Sequence, residues 1–219
     1  MLLNLQTFGI DISSYSDDID WAKLVSVINP RFVFARAYHV GPSPDKSYAD
    51  QRFAEYWSQL GHLNLRRGAY LFCDPRADAA DSIAKLFSVY TPKKGDLLPT
   101  LDIEDNYDSG SGVPVQQRVA QISTMVGLVA QKIGGQKPMI YTKRRVWNEL
   151  GNPNQFASCP LWVLNYFTMP TPQNMPVTWP SFAFWQYAEN IKYEGILKGD
   201  YDLNLFNGTE NDLTNVTIQ

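Results

Sequence analysis

The stretch LPTLDIEDNYD, residues 98–108, sets two carboxylates, Asp102 and Glu104, two positions apart within an apolar run. Side chains alternate along a strand. Asp102 and Glu104 would therefore share one face, and Leu101 and Ile103 the other. Two acids on one face of an otherwise apolar strand mark either a solvated strand end or a reactive site. The flanking sequence has to decide between them.

Working outward, strand-like and helix-like stretches alternate. FGIDIS (8–13) reads as a strand, and SDDIDWAKLVSVI (16–28) as a capped helix with Trp21, Leu24, Val25 and Ile28 on one face. RFVFARAY (31–38) is a second strand. Phe53, Tyr56, Trp57 and Leu60 form a helical stripe over 49–60, with Gly61 as its expected stop. RGAYLF (67–72) is a third strand, and Ile83, Leu86, Phe87 and Tyr90 place another helix over 77–90. The fourth strand is LLPTLDIE itself, with pairing expected from Pro99 onward, since proline donates no hydrogen bond. Val115, Val119, Ile122, Val126, Val129 and Ile133 then step by four and three, between Pro114 and Gly134-Gly135. KPMIYT (137–142) is a fifth strand, followed by a short helix over 144–150.

After residue 151 the rhythm changes. PLWVLNY (160–166), SFAFWQY (181–187) and DYDLNLF (200–206) read as strands without long helices between them. The sum is an α/β chain: five β–α units and then three strands, predicting a TIM-like barrel of parallel strands with helices outside. A complete eight-stranded barrel usually takes about 250 residues. Without its last helices it fits the 219 present, as a single domain over 1–219 with its core at about 8–208.

Composition narrows the function. Net charge is −3, and no basic stripe suggests a nucleic-acid partner. Two cysteines (Cys73, Cys159) and two histidines (His39, His62) have no zinc-site spacing, so neither metal nor cofactor is expected. MLLNLQTFGID lacks the basic-then-apolar pattern of a signal segment, and no apolar run is long enough to span a membrane. Six Trp, 12 Tyr and 11 Phe suit both core packing and a carbohydrate cleft.

Barrel chemistry sits where the strands end. Asp11 closes the first strand, Asp102 and Glu104 the fourth, and Trp185, Gln186 and Tyr187 the seventh. Tyr70 lies near the end of the third strand, Asn165 and Tyr166 near the end of the sixth, and Asp202 and Asn204 within the last. Carboxyls on alternate strand residues, with Cα atoms about 6.5–7 Å apart, suit glycoside hydrolysis: one acid donates to the leaving oxygen while the other, ionised, assists at the anomeric carbon. Repulsion and burial would separate their pKa values and so assign the roles.

These residues resemble glycoside hydrolase family 25, the Chalaropsis-type lysozymes. The likeness runs through GIDIS (9–13), IDW (19–21), GAYLF (68–72), LDIED (101–105), PMIYT (138–142), PLWVLNY, FWQY (184–187) and YDLNLF (201–206). It implies a flattened (β/α)5(β)3 barrel that cuts the β-1,4 bond between N-acetylmuramic acid and N-acetylglucosamine in peptidoglycan. Glu104 is then the general acid. Asp102 assists either the substrate's own 2-acetamido oxygen or a water. Asp11 and Asp202 occupy the family's other acidic cleft positions, and Tyr70, Trp185, Gln186 and Tyr187 line the sugar subsites, with Asn165 and Tyr166 beside them. Two stretches depart from the pattern. ARAYHVG (35–41) puts Arg36 where a Lys is usual and Tyr38 or His39 where a Glu is usual. Leu71 replaces a usual His. A chitin-like or modified glycan, or a non-catalytic glycan-binding or virion structural module, is the alternative. The expected setting is the cell wall, reached outside the cell or at lysis as a phage-type lysin or as part of a longer protein. The expected partner is the glycan strand, with the isolated domain a monomer and no membrane insertion.

Overall fold

A computed structural model of the chain describes residues 7–63, 65–166 and 168–219. The signal-segment reading rests partly on residues 1–6, which lie outside the described residues. Eight strands close into a barrel: β1 (Thr7–Ile12), β2 (Phe32–His39), β4 (Arg66–Phe72), β5 (Thr100–Asp102), β6 (Met139–Thr142), β7 (Leu161–Leu164), β8 (Phe184–Ile191) and β9 (Tyr201–Phe206). A two-residue strand, β3 (Tyr48–Ala49), pairs only with the end of β2. The first seven barrel strands run parallel to one another, and β1 pairs with β2 to close the ring. The expectation of parallel strands is corrected at the last one. β9 runs antiparallel to both β8 and β1, making the barrel mixed. No long helix separates β8 from β9, so the chain returns directly alongside β8, as hairpin-like connections require.

Helices α1 (Trp21–Lys23, continuing as a π turn over Leu24–Ile28), α2 (Phe53–His62), α3 (Ala79–Val89), α4 (Val115–Lys132) and α5 (Arg144–Glu149) connect the parallel strands. Side chains cap several of them: Asp20 accepts the Lys23 N–H at the start of α1, and Asp78 the Asp81 N–H at the start of α3. α2 continues through Gly61 to His62, one residue beyond its expected stop. α4 buries Ile122, Met125, Val126 and Val129 against the sheet, each worth roughly 1.5–3 kcal/mol relative to exposure. The chain leaves this helix through Gly134 and Gly135, both at positive φ (71° and 92°), where a side chain would be strained.

The barrel interior is aromatic. Phe34 stacks on Trp162 at 4.3 Å, and Phe184 meets Phe32 and Phe34 edge-on at 4.9 and 5.1 Å. Gly68 allows this packing, because a β-carbon there would sit 2.4 Å from the Phe34 ring. A 3-10 segment (Glu210–Val216) closes the end where the parallel strands begin, with Leu98 N–H bonded to Val216 O. The opposite end is left to polar groups.

Candidate active site

The two acids of the opening stretch arrive as alternation dictates. Asp102 is the last residue of β5. Glu104 lies two further on, still extended at φ −114° and ψ −158°, before the chain turns into a 3-10 segment (Asp105–Tyr107). Leu101 and Ile103 are fully buried on the other face. Neighbouring strands deliver the remaining groups by register. Asp102 lies beside Tyr141 of β6, Asp11 of β1 is paired directly with Asp202 of β9, and Gln186 of β8 with Asn204 of β9. A pocket of about 70 Å³ joins Asp11, Tyr70, Asp102, Glu104, Gln186 and Asp202 with Tyr141 and Trp162.

One amide organises the acids. Gln186 Nε2 donates to Asp11 Oδ2 at 2.9 Å and to Asp202 Oδ2 at 3.1 Å, while its Oε1 accepts from the Tyr141 hydroxyl at 2.7 Å. Two carboxyl acceptors on the nitrogen side and a hydroxyl donor on the oxygen side fix the orientation of the Gln186 amide. Asn204 Nδ2 donates to the same Asp11 oxygen at 2.7 Å, and Asn204 Oδ1 accepts from the Trp162 indole at 2.7 Å. Asp202 also accepts the Asn190 backbone N–H at 2.9 Å. Asp102 differs: its Oδ1 is buried and has no hydrogen-bond partner among the described residues.

Burial pushes the Asp11 carboxyl up to about 6, against the pull of Asn204 and Gln186. Burial, then repulsion from Asp11, takes Asp202 up to about 8. Burial and repulsion from Glu104 and Asp11 push Asp102 well above the usual carboxylate range. Glu104 is raised by burial, with Lys143 opposing. Interaction between the Asp102 and Glu104 carboxyls raises Asp102 and lowers Glu104, so a proton shared by the pair favours the more deeply buried Asp102. Glu104, the more accessible of the two, faces the opening. Lys143 is itself bonded to Asp105 at 2.6 Å beside this pair. Among the described residues no group of three or more His, Cys, Asp or Glu is placed to hold a metal ion.

The expected residues separate into two sets. Asp11, Tyr70, Asp102, Glu104, Gln186 and Asp202 line one pocket. Trp185 and Tyr187 do not line it: they sit on the face of β8 opposite Gln186, with their rings 5.6 Å apart, and the Trp185 indole donates to Asn165 O at 2.8 Å. Asn165 braces its own loop through Thr168 O at 2.8 Å, and Tyr166 donates to Glu189 at 2.5 Å. Arg36 is held in a buried ion pair with Asp50 at 2.9 Å and also donates to Ser14 Oγ at 3.1 Å. Tyr141 and Trp162 were not singled out from sequence. Their positions on β6 and β7 carry the inward parity, which is the signal that could have found them.

A second lobe of about 380 Å³ adjoins the acid pocket and shares Asp11, Tyr70 and Asp202 with it. Tyr15, Asn190, Asp200 and Tyr201 form its outer part.

The model of the family described as Glycosyl hydrolases family 25 matches residues 10–196. The chain is 31% identical over 210 residues to the uncharacterized protein YegX of Escherichia coli O157:H7, covering 94% of this chain and 71% of that protein. Among solved structures, a bacterial lysozyme from Streptomyces coelicolor superposes with a TM-score of 0.83 at 27% identity, covering 96% of both chains. A muramidase from Acremonium alcalophilum superposes with a TM-score of 0.79 at 28% identity, over 96% of this chain and 98% of that one.

Proposed function

Because the chain belongs to glycosyl hydrolase family 25, we propose that it hydrolyses the β-1,4 bond between N-acetylmuramic acid and N-acetylglucosamine in bacterial peptidoglycan, with Glu104 as general acid and Asp102 as its partner. The likeness to a lysozyme and a muramidase supports the substrate class. The glycan strand of the cell wall is then the partner, and a monomer suffices because all the acids come from one barrel.

The observation that carries the mechanism is the unpartnered, buried Asp102 oxygen. A buried acceptor without a donor is costly, about 1–3 kcal/mol, unless something with an N–H arrives. The 2-acetamido N–H of the substrate is such a donor. Its hydrogen bond to Asp102 favours the ionised form there, and the shared proton moves to Glu104. Glu104 gives that proton to the glycosidic oxygen as the C1–O bond breaks. The acetamido carbonyl oxygen attacks C1 from the opposite side, forming a cyclic oxazolinium whose N–H stays on Asp102. Water then attacks C1, Glu104 takes back its proton, and the ring opens with net retention. Substrate-assisted routes of this kind are known exceptions to the two-carboxylate scheme. Gln186 and Asn204 keep Asp11 in place beside the reacting pair throughout.

The test uses purified cell walls. Native protein should release new reducing ends on N-acetylmuramic acid in the retained, β configuration, identified by mass and by proton NMR of early products. Glu104→Gln should lower the rate by about 10²–10⁴-fold. Reducing ends on N-acetylglucosamine would overturn the bond assignment, and an inverted anomer would replace the acetamido route by direct attack of water. Equal clearing by both forms would remove Glu104 from its role. Binding without cleavage by the native form would leave a glycan-binding module.

A further inference from the structure

Glu104 does not stand on a bare strand end. Its chain neighbour Asp105 is held by two cations from the next β–α junction: Lys143 Nζ donates to Asp105 Oδ2 at 2.6 Å, and Arg145 donates to Asp105 Oδ1. Strand register brings these groups together. Asp102 of β5 is level with Tyr141 of β6, and the Ile103 N–H extends the pairing to Tyr141 O at 2.9 Å. Two residues further along each chain stand Glu104 and Lys143, both still extended, at φ −114° and −123°. Alternation therefore turns Lys143 to the rim face that Glu104 occupies, as it turns Tyr141 to the face of Asp102.

The segment that follows the acid is clamped from several sides. Arg145 also reaches Asp108 at 3.3 Å and Glu149 at 2.8 Å, and Glu149 accepts the Ser109 N–H at 2.8 Å. Away from α5, Asn106 donates to Cys73 O at 2.6 Å, and the Tyr107 hydroxyl donates to Gln121 Oε1 of α4 at 2.6 Å. The Tyr107 N–H closes the turn on Glu104 O at 2.8 Å. Charge follows from the same geometry. Asp102 of the same strand, Asp11 of β1, Asp202 of β9, Tyr141 of β6, Tyr166 beyond β7 and Asp105 face Glu104 as acids and phenols, and Lys143 faces it as a cation. Burial raises the Glu104 carboxyl, and Lys143 opposes that rise. Against its own partial burial, Asp105 is held below the ordinary carboxylate range by Lys143 and Arg145, so it stays charged beside them.

We propose that Lys143 and Asp105 are positioning residues for the general acid: Asp105 holds the Lys143 ammonium beside Glu104, and the ammonium keeps the proton of the acidic pair on Asp102 until substrate arrives. The inference rests on the proposed glycosidase reading, in which that proton moves to Glu104 when the acetamido N–H reaches Asp102. Both residues act through Glu104 and not on the sugar.

The test follows the Glu104 side-chain carboxyl by carbon-13 NMR across pH in the free protein, alongside the pH profile of kcat/KM on purified cell walls. Lys143→Gln removes the cation and keeps a donor for Asp105. Lys143 and Asp105 are partly exposed, so water weakens their charges, and the Glu104 midpoint should rise by about half a pH unit or more. The alkaline limb of kcat/KM, where the acidic pair loses its last proton, should move up with it. Lys143→Arg keeps the charge and should follow the native titration. Asp105→Asn keeps an acceptor for Lys143 but removes a negative charge, so the midpoint should move down. The double variant should return close to the native midpoint, because the two charges offset. Opposite movements from the two halves of one pair are what a merely structural clamp does not give. An unmoved midpoint in Lys143→Gln would overturn the role of the ammonium, and movement of both single variants in one direction would reduce the pair to a brace. A native protein that leaves cell walls uncut would defeat the glycosidase reading, while the NMR titrations would still decide the ion pair.

Discussion

Asp202→Asn should stabilise the fold at neutral pH while impairing the site. Asp202 has its carboxyl pushed up to about 8 by burial and by Asp11, against an ordinary value of 3.8. Between those limits the folded protein keeps a proton that the unfolded chain has lost. The unfolded state binds fewer protons, so stability is fullest below about pH 4 and falls as pH rises toward 8. The slope is about 1.4 kcal/mol per pH unit, which over this window gives an upper bound of about 6 kcal/mol. Because Asp11 supplies part of the shift, and its own titration is linked, we expect about 2–5 kcal/mol. Asparagine abolishes the titration. It can still accept the Asn190 N–H, but it turns an N–H toward Gln186 and loses that 3.1 Å bond, costing about 1 kcal/mol at every pH. Urea unfolding of both proteins from pH 4 to 8.5 should therefore give crossing curves. The native form is slightly more stable at pH 4, and the variant more stable by about 2–5 kcal/mol at pH 8. A gap independent of pH, or a native protein that gains stability as pH rises from 5 to 8 more than the variant does, would refute the reasoning.

Gln186→Glu replaces the amide that donates to both Asp11 and Asp202 with a further carboxyl. Its repulsion should raise the Asp11 carboxyl above its present value of about 6, so kcat/KM on cell walls should fall at least about tenfold at neutral pH, with the deficit deepening in acid and easing as pH rises; a proportionate loss at all pH values would make Gln186 merely structural. The thiols make a simpler case. Cys73 and Cys159 are buried, and burial pushes Cys159 up to about 11 and Cys73 well above its ordinary range. Neither should react with a thiol reagent at pH 8 in the native protein, and both should react once it is unfolded in urea; rapid native labelling would contradict the packing around them.

Legibility from sequence followed physical strength of signal. The heptad-like stripe from Val115 to Ile133 and the caps around it specify α4 almost to the residue, because a long amphipathic face must be buried. LPTLDIED was legible for the same reason: alternation places Leu101 and Ile103 against the helices and brings the acids together. The same rule explains the faults. Trp185, Gln186 and Tyr187 are consecutive, so they cannot all face the pocket, and only Gln186 does. Tyr141 and Trp162 face it because they have the right parity in short, wholly buried strands, where hydrophobicity alone does not distinguish inside from outside. Tyr15 lies in a polar turn with no periodicity at all. The return of the chain at Gly199–Asp200 fixes its backbone, and Arg36 from β2 lies over its ring.

The direction of β9 matters more to the site than any single side chain in it. Asp202 lies at the second position of that strand. In a parallel strand, an early residue would sit at the far end of the barrel, where Leu97, Leu98 and the 3-10 segment close the core. Running antiparallel, β9 begins where the other strands end, and Asp202 pairs with Asp11 at the reactive rim. Asn204, one pleat further in, reaches back to Asp11 and joins it to Trp162. An antiparallel last strand also needs no crossover helix. A chain short of a complete (β/α)8 barrel can therefore still close, and it does so by bringing two further polar residues to the acids. The departure from a uniform parallel barrel is what brings the fourth carboxyl to the rim.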